Sequence, residues 1–150
     1  MKILMTMLLG LACFNSLAQD SLHDALKESV LSLSTAMKNA DTGFINKLFT
    51  RDALISSVNK SRGEVSVTHE TIPEFSKAII ESPKGSLDER IMIGQILIDG
   101  DLAVVWATYK FYFNNIYSHC GVDVIHLVRL AGTWKIISVT DTRRVKNCPM

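Results

Sequence analysis

From Ser21 to Ala40 the apolar residues Leu22, Ala25, Leu26, Val30, Leu33, Ala36 and Met37 recur at steps of three and four. That spacing gathers them on one stripe and predicts an amphipathic helix with a single buried side. Asp20 or Ser21 is placed to cap its start, and Asp24 lies near the positive end of its dipole. Asp41-Thr42-Gly43 interrupts the pattern, and Phe44 to Phe49 restarts it briefly, predicting a short second helix whose phenylalanines enter the core.

The period then shortens to two. Asp52 to Val58 reads as a strand, Glu64 to Thr68 as a short edge strand, and Arg90 to Ile98 as a longer one. Between them, Thr71-Ile72-Pro73-Glu74 carries helix-start chemistry, with Thr71 as cap and proline in the first turn, and the helix ends before Pro83. Asp101 to Arg144 holds three runs rich in Val, Ile, Phe, Tyr, Trp and Thr, broken at Asn114-Asn115 and Ala131-Gly132, which predicts an antiparallel meander. A curved sheet folded over helices is the economical packing, because each layer must bury one apolar face. The fold class is therefore α+β.

Composition narrows this picture. A chain of 150 residues, 47% hydrophobic with net charge +1, fits one compact domain. Lys+Arg at 16 against Asp+Glu at 15 leaves no basic excess for phosphates, which argues against nucleic acid as a partner. The opening MKILMTMLLGLACFNSLAQ has one lysine, an apolar run from Ile3 to Phe14 and Ser16-Leu17-Ala18, so residues 1–18 read as a signal peptide cleaved after Ala18, with the domain at 19–150. The run is too short for a membrane span, which needs about 18 to 20 apolar residues. Gly10, where a lipobox carries Leu, argues against a lipid anchor at Cys13. Export to the periplasm or beyond permits disulfides, and loss of the leader leaves Cys120 and Cys148 as an even pair. The histidines at 23, 69, 119 and 126 lack close ligand spacing, so no metal site is expected, and nothing implies a cofactor.

The segment Gly43 to Ile55 (GFINKLFTRDALI) is similar to the helix, aromatic, then D-A-hydrophobic strand that opens members of the nuclear transport factor 2-like superfamily, which includes SnoaL-like and ketosteroid isomerase-like proteins. Ala103 to Tyr109, Gly121 to Arg129 and Gly132-Thr133-Trp134-Lys135-Ile136 resemble its last three strands, with the glycine, tryptophan, basic, isoleucine ending the most diagnostic. The resemblance implies a cone-shaped, cystatin-like α+β fold in which a curved antiparallel sheet wraps over N-terminal helices. It also implies a pocket between sheet and helices, and often a homodimer through the sheet. Members include isomerases, cyclases, epoxide hydrolases, dehydratases, ligand carriers and dimerisation modules, so the resemblance names no single chemistry. The carboxylate and deep tyrosine of the ketosteroid isomerases have no assignable counterpart from sequence.

Hairpin register points to candidate residues. If Asn114-Asn115 and Ala131-Gly132 are plain two-residue turns, Trp106 and Thr140 lie opposite Asp123, while Lys110 and Arg144 lie opposite His119. One face then presents Trp106, Lys110, Tyr112, His119, Asp123, Thr140 and Arg144 above Ile125, Leu127, Trp134 and Ile136; the other carries Val105, Ala107, Tyr109, Phe111, Val122, Val124 and Val139. The mixed face has the makeup of a pocket, and the apolar face suits a dimer interface. A bulge in either hairpin would exchange them and bring in Asp141 and Arg143. On this register Trp106, Lys110, Tyr112, Thr140 and Arg144 are candidate ligand contacts. His119 and Asp123 are a candidate proton-transfer pair, with Lys110 or Arg144 stabilising an anion. The expected function is an exported protein binding a small anionic or polar-aromatic molecule. The alternatives are a small lyase, isomerase or hydrolase using His119 and Asp123, and a non-catalytic dimerisation or accessory module with a filled cone.

Overall fold

The computed structural model describes the backbone of residues 4–149 and the side chains of residues 21–149. The leader, its cleavage after Ala18 and the anchor at Cys13 fall on residues whose side chains lie outside that set. Helix α1 spans Leu4–Asn39 without interruption, so Asp20 and Ser21 lie inside it and neither caps its start. Among the described residues no helix is long and apolar enough to cross a membrane.

Helix α2 (Thr42–Leu48) is capped by Asp41, whose carboxylate accepts from the Phe44 N–H at 2.9 Å. Of its flanking phenylalanines only Phe49 is buried, while Phe44 is exposed. Strand β1 (Phe49–Ser61) turns through Arg62-Gly63 into β2 (Glu64–Thr71), both longer than their apolar patterns predict. Helix α3 (Ile72–Ile80) follows with a reciprocal box, the Thr71 hydroxyl on the Glu74 N–H and the Glu74 carboxylate on the Thr71 N–H. Strands β3 (Leu87–Asp99), β4 (Leu102–Phe113), β5 (Ile116–Leu130) and β6 (Thr133–Arg143) form the meander.

The six strands make one curved, unclosed sheet in the order β2-β1-β6-β5-β4-β3. Its pairs are antiparallel except β1 against β6, which run parallel, so the sheet is mixed where the sequence implied an antiparallel one. The chain from β2 to β5, α3 included, supplies the long crossover that a parallel pair requires. The helices cover the concave face. On α1, Leu26, Val30, Leu33, Ala36 and Met37 form the predicted buried stripe, and they join Ala103, Val105, Ala107, Ile125, Leu127 and Ile136 in one core. Near the end of α1, Lys38 reaches Asp88 at 2.9 Å, and Arg90 holds the other oxygen of the same carboxylate at 3.0 Å. The Lys38 hydrogen bond holds the Asp88 carboxyl below its ordinary range despite burial. This pair fixes the helix to β3.

In both the β4–β5 and the β5–β6 hairpin, register departs once from simple pairing. Both turns are two-residue turns with positive φ at each position, as at Asn114 (50°) and Asn115 (62°). Yet Tyr112 pairs with Tyr117 while Phe111 pairs with His119, leaving Ser118 unpaired. Likewise Leu127 pairs with Ile136 while His126 pairs with Ser138, leaving Ile137 unpaired. Each bulge advances one strand by a residue and flips everything beyond it to the other face.

Cys120 and Cys148 form a disulfide, with an S–S distance of 2.08 Å, that ties the chain end to β5 beside the Cys120–Arg144 bridge. At the neighbouring Gly121 a Cβ would lie 1.6 Å from the Thr142 carbonyl oxygen, so only glycine fits there. Gly94, at a bulge in β3, is less confined, with the Trp106 carbonyl at 3.2 Å. Gly121→Ala is therefore expected to cost about 3 kcal/mol or more in urea unfolding, and Gly94→Ala about 1 kcal/mol. Equal losses would contradict the close approach of β6 to β5.

Candidate functional site

Along β4 and β5 the inward side chains change character from one end of the cone to the other. At the closed end Ala103, Val105, Ile125 and Leu127 pack beneath α1. Towards the turn that joins the two strands, the inward positions become Tyr109 and Phe111 on β4, and Asp123 and His119 on β5. The sheet and the two helices do not meet there. A cavity of about 320 Å³ remains, walled by Leu33 and Met37 from α1, by Phe75 and Ile79 from α3, and by Ile91, Phe111, Ile125 and Val139 from the sheet. Its polar groups come from five strands: Glu70 on β2, Glu89 on β3, Tyr109 on β4, His119 and Asp123 on β5, and Asp141 and Arg143 on β6.

Asp141 anchors this cluster. Its carboxylate accepts from the Ser57 hydroxyl at 2.5 Å, the Arg143 Nε at 2.7 Å and the Tyr109 hydroxyl at 3.1 Å. Tyr109 also lies 3.0 Å from the Thr142 carbonyl oxygen. Burial raises the Tyr109 phenol, and the charges of Asp141, Asp123 and Glu89 add to it, so the hydroxyl stays a donor. Burial opposes the Arg143 charge, but the Asp141 hydrogen bond and the surrounding negative charges outweigh it and keep the guanidinium above its ordinary value.

Asp123 is different. It is 5% exposed, lines the cavity, and no hydrogen bond to it is found among the described residues. Burial, followed by the charges of Glu89 and Asp141, raises its carboxyl well above the ordinary range against the pull of Arg143. Glu89 is pushed up to about 7 by burial and the Asp141 charge, with Arg143 opposing. Glu70 at the rim is raised by burial and by Glu74, again against Arg143. His119 is lowered by burial and by Arg143, with Asp141 pulling the other way, so its imidazole stays neutral at pH 7. The ring packs at 5.1 Å from Phe111 and 5.7 Å from Tyr109, and its Nδ1 lies 3.0 Å from the Ser118 hydroxyl.

The two bulges therefore redistribute the candidate residues. His119 and Asp123 do face the cavity, but His119 lies opposite Phe111, and Asp123 lies between Ala107 and Asp141. No hydrogen bond joins His119 to Asp123, so Asp123 does not orient the imidazole. Trp106, Lys110, Tyr112, Thr140 and Arg144 lie on the convex side, because the unpaired Ser118 and Ile137 each shift the register by one. Trp106 is 48% exposed, Tyr112 stacks under the Arg90 guanidinium at 4.1 Å, and Arg144 reaches Thr142 at 3.2 Å. The face expected to form a dimer interface on β4 is instead the inner one. Sequence reasoning overlooked Glu89, although its spacing from Ile91 and Ile93 carries a charge onto an apolar face. It also found no deep tyrosine beside a carboxylate, whereas Tyr109 and Asp123 share this cavity.

Among the described residues no group of three or more His, Cys, Asp or Glu side chains is arranged to hold a metal ion. The arrangement can instead grip hydrogen-bond donors, or move a proton at Asp123 or Glu89.

A nuclear transport factor 2-like protein of unknown function from Silicibacter pomeroyi superposes with a TM-score of 0.66 at 18% identity, over 84% of this chain and 98% of that one. A similar protein from Cytophaga hutchinsonii gives 0.60 at 21% identity, over 84% and 98%. A protein of unknown function with a cystatin-like fold from Nostoc punctiforme gives 0.60 at 12% identity, over 88% and 96%. No curated protein matches the chain. A family model described as "Putative lumazine-binding" matches residues 21–140, and with most of its length matched the chain belongs to that family, on a nuclear transport factor 2-like fold.

Proposed function

We propose that this is an exported small-molecule-binding protein whose ligand sits between the sheet and helices α1 and α3. The observation that carries the reading is Asp123, a buried carboxyl facing an open cavity with no partner from the protein. The Asp123 oxygens open onto the cavity and take no hydrogen bond from the described residues, so a ligand that brings a donor can satisfy them there. The apolar walls fit a ligand with a hydrophobic or aromatic body. Four carboxyls against one guanidinium disfavour the anionic ligand expected from sequence. The family description points to lumazine, a fused heteroaromatic ring whose N–H groups would donate to Asp123 and Glu89. The apolar leader and the Cys120–Cys148 disulfide support export to an oxidising compartment. A homodimer through the convex face is supported by the exposed Met92, Leu97, Leu102 and Trp106. The open cavity speaks against an accessory module with a filled cone.

One observation favours a second, catalytic reading. Asp123 and Glu89 have raised pKa values and share the cavity with the neutral His119, which is the makeup of an acid–base site.

Lumazine is expected to raise the melting temperature of the native protein. Ala78→Trp, placed at the exposed mouth of the cavity on α3, should abolish that shift while changing the stability of the free protein by less than about 1 kcal/mol. An equal shift for both proteins would put the ligand elsewhere. Mass spectrometry of compounds released from protein purified from its native compartment separates the two readings. A compound that returns unchanged after long incubation supports the carrier, and conversion that stops in Asp123→Asn supports the enzyme.

A further inference from the structure

We propose that this cavity prefers an organic cation, an amidinium, guanidinium or protonated amine on a small apolar body whose N–H groups meet Asp123 and Glu89, over a neutral ring such as lumazine, which makes the same hydrogen bonds without the charge. This rests on the reading of the cavity as a small-molecule site and adds the charge of what it takes.

The groups facing Asp123 and Glu89 from each element are few. Glu70 comes from β2, Tyr109 from β4, His119 from β5, and Asp141 and Arg143 from β6; α1 and α3 contribute apolar side chains and Ser82. Arg143 is the one permanent cation among these groups, and its charge is met by Asp141 at 2.7 Å. The Asp141 oxygens are further held by Ser57 and Tyr109. Once that pair is set aside, Asp123 and Glu89 are left with no counter-charge. The neutral His119 provides none. Both carboxyls line a cavity with large apolar walls, where an isolated carboxylate is strongly disfavoured and an ionic partner with N–H donors is the efficient remedy. An anion would find the guanidinium already committed to Asp141 and would be repelled whenever Asp123 or Glu89 ionised. A neutral molecule would leave the carboxyls protonated and gain only ordinary hydrogen bonds.

The proton balance is explicit. In the empty site a carboxyl of raised pKa carries its proton. When the cation enters, the O–H bond breaks, the proton leaves to solvent, and the carboxylate accepts an N–H from the ligand. Because the carboxyl pKa values lie above their ordinary range, binding weakens as pH falls and strengthens as pH rises through about 7, the value for Glu89. Tyr109 and Arg143, both raised, keep their protons across that window.

The probes are benzamidinium, benzamide and benzoate, which share one planar shape and differ in charge. Calorimetry on the purified protein, between about pH 5.5 and 8.5, reads affinity and proton release in buffers of different ionisation enthalpy. Benzamidinium, charged throughout, should bind about tenfold or more tighter than benzamide at the upper end, and its affinity should fall by about tenfold per pH unit below the Glu89 value of about 7. Benzoate should not bind. Asp123→Asn and Glu89→Gln should each reduce the preference for benzamidinium over benzamide and the number of protons released. If Asp123→Asn fails to fold, Glu89→Gln and the native pH profile decide the matter. Benzamide binding as tightly as benzamidinium, with both blocked by Ala78→Trp, would overturn the cation assignment and leave the small-molecule site standing. Binding of no probe, or binding that Ala78→Trp leaves intact, would overturn it together with the site.

Discussion

Because side chains along a strand alternate between faces, one unpaired residue reverses what every later position shows to the interior. In the β4–β5 and β5–β6 pairs the unpaired residues are Ser118 and Ile137. Without Ser118, Lys110 rather than Phe111 would lie opposite His119. Without Ile137, Thr140 rather than Asp141 would lie opposite Asp123. The two bulges thus place Tyr109, Asp123 and Asp141 on the concave side, and they lie on strands whose curvature lets the sheet wrap α1. Shape and chemistry have a common origin here.

The electrostatics of the interior follow from that placement. Asp141 draws donors from β1, β4 and β6 and neutralises Arg143, so the strongest polar interactions of the cavity are satisfied within the protein. What remains is a division between a closed cluster and the carboxyls outside it, Asp123 and Glu89 inside the cavity and Glu70 at its rim. Asp123 lies next to Asp141 across the β5–β6 pair, near enough for repulsion to add to its burial, while the guanidinium is committed to Asp141. The protein meets its own needs at Asp141 and leaves Asp123 without a partner.

Much of the architecture was legible in the chain because burial imposes a period. The α1 stripe, the Thr71 cap and the two-residue turns are local features, and the structure has each of them. The continuation of α1 through Ser21, the bulges and the parallel pairing of β1 with β6 are not local. Neither a serine at 118 nor an isoleucine at 137 is a residue that marks a bulge, and a bulge is chosen by how the whole sheet bends. For that reason His119 and Asp123 were recognised as cavity residues while Trp106, Lys110, Tyr112, Thr140 and Arg144 were placed on the wrong side. Asp141 and Arg143 follow only if a bulge is assumed. Glu89 was readable in principle, as a charge in phase with Ile91 and Ile93.

The stability cost of this site is carried by the other end of the same strands. A buried carboxyl with no hydrogen bond costs roughly 1–3 kcal/mol, while each large apolar side chain buried fully, as Leu26 and Leu127 are, contributes roughly 1.5–3 kcal/mol. The two ends therefore trade within one sheet. The closed end is filled with hydrocarbon and stabilises the cone, and the open end keeps a void lined by carboxyls of raised pKa. Lys38, Asp88 and Ser34, whose hydroxyl donates to the Glu89 carbonyl, hold α1 against β3 beside the void. They keep the helix from sliding into it.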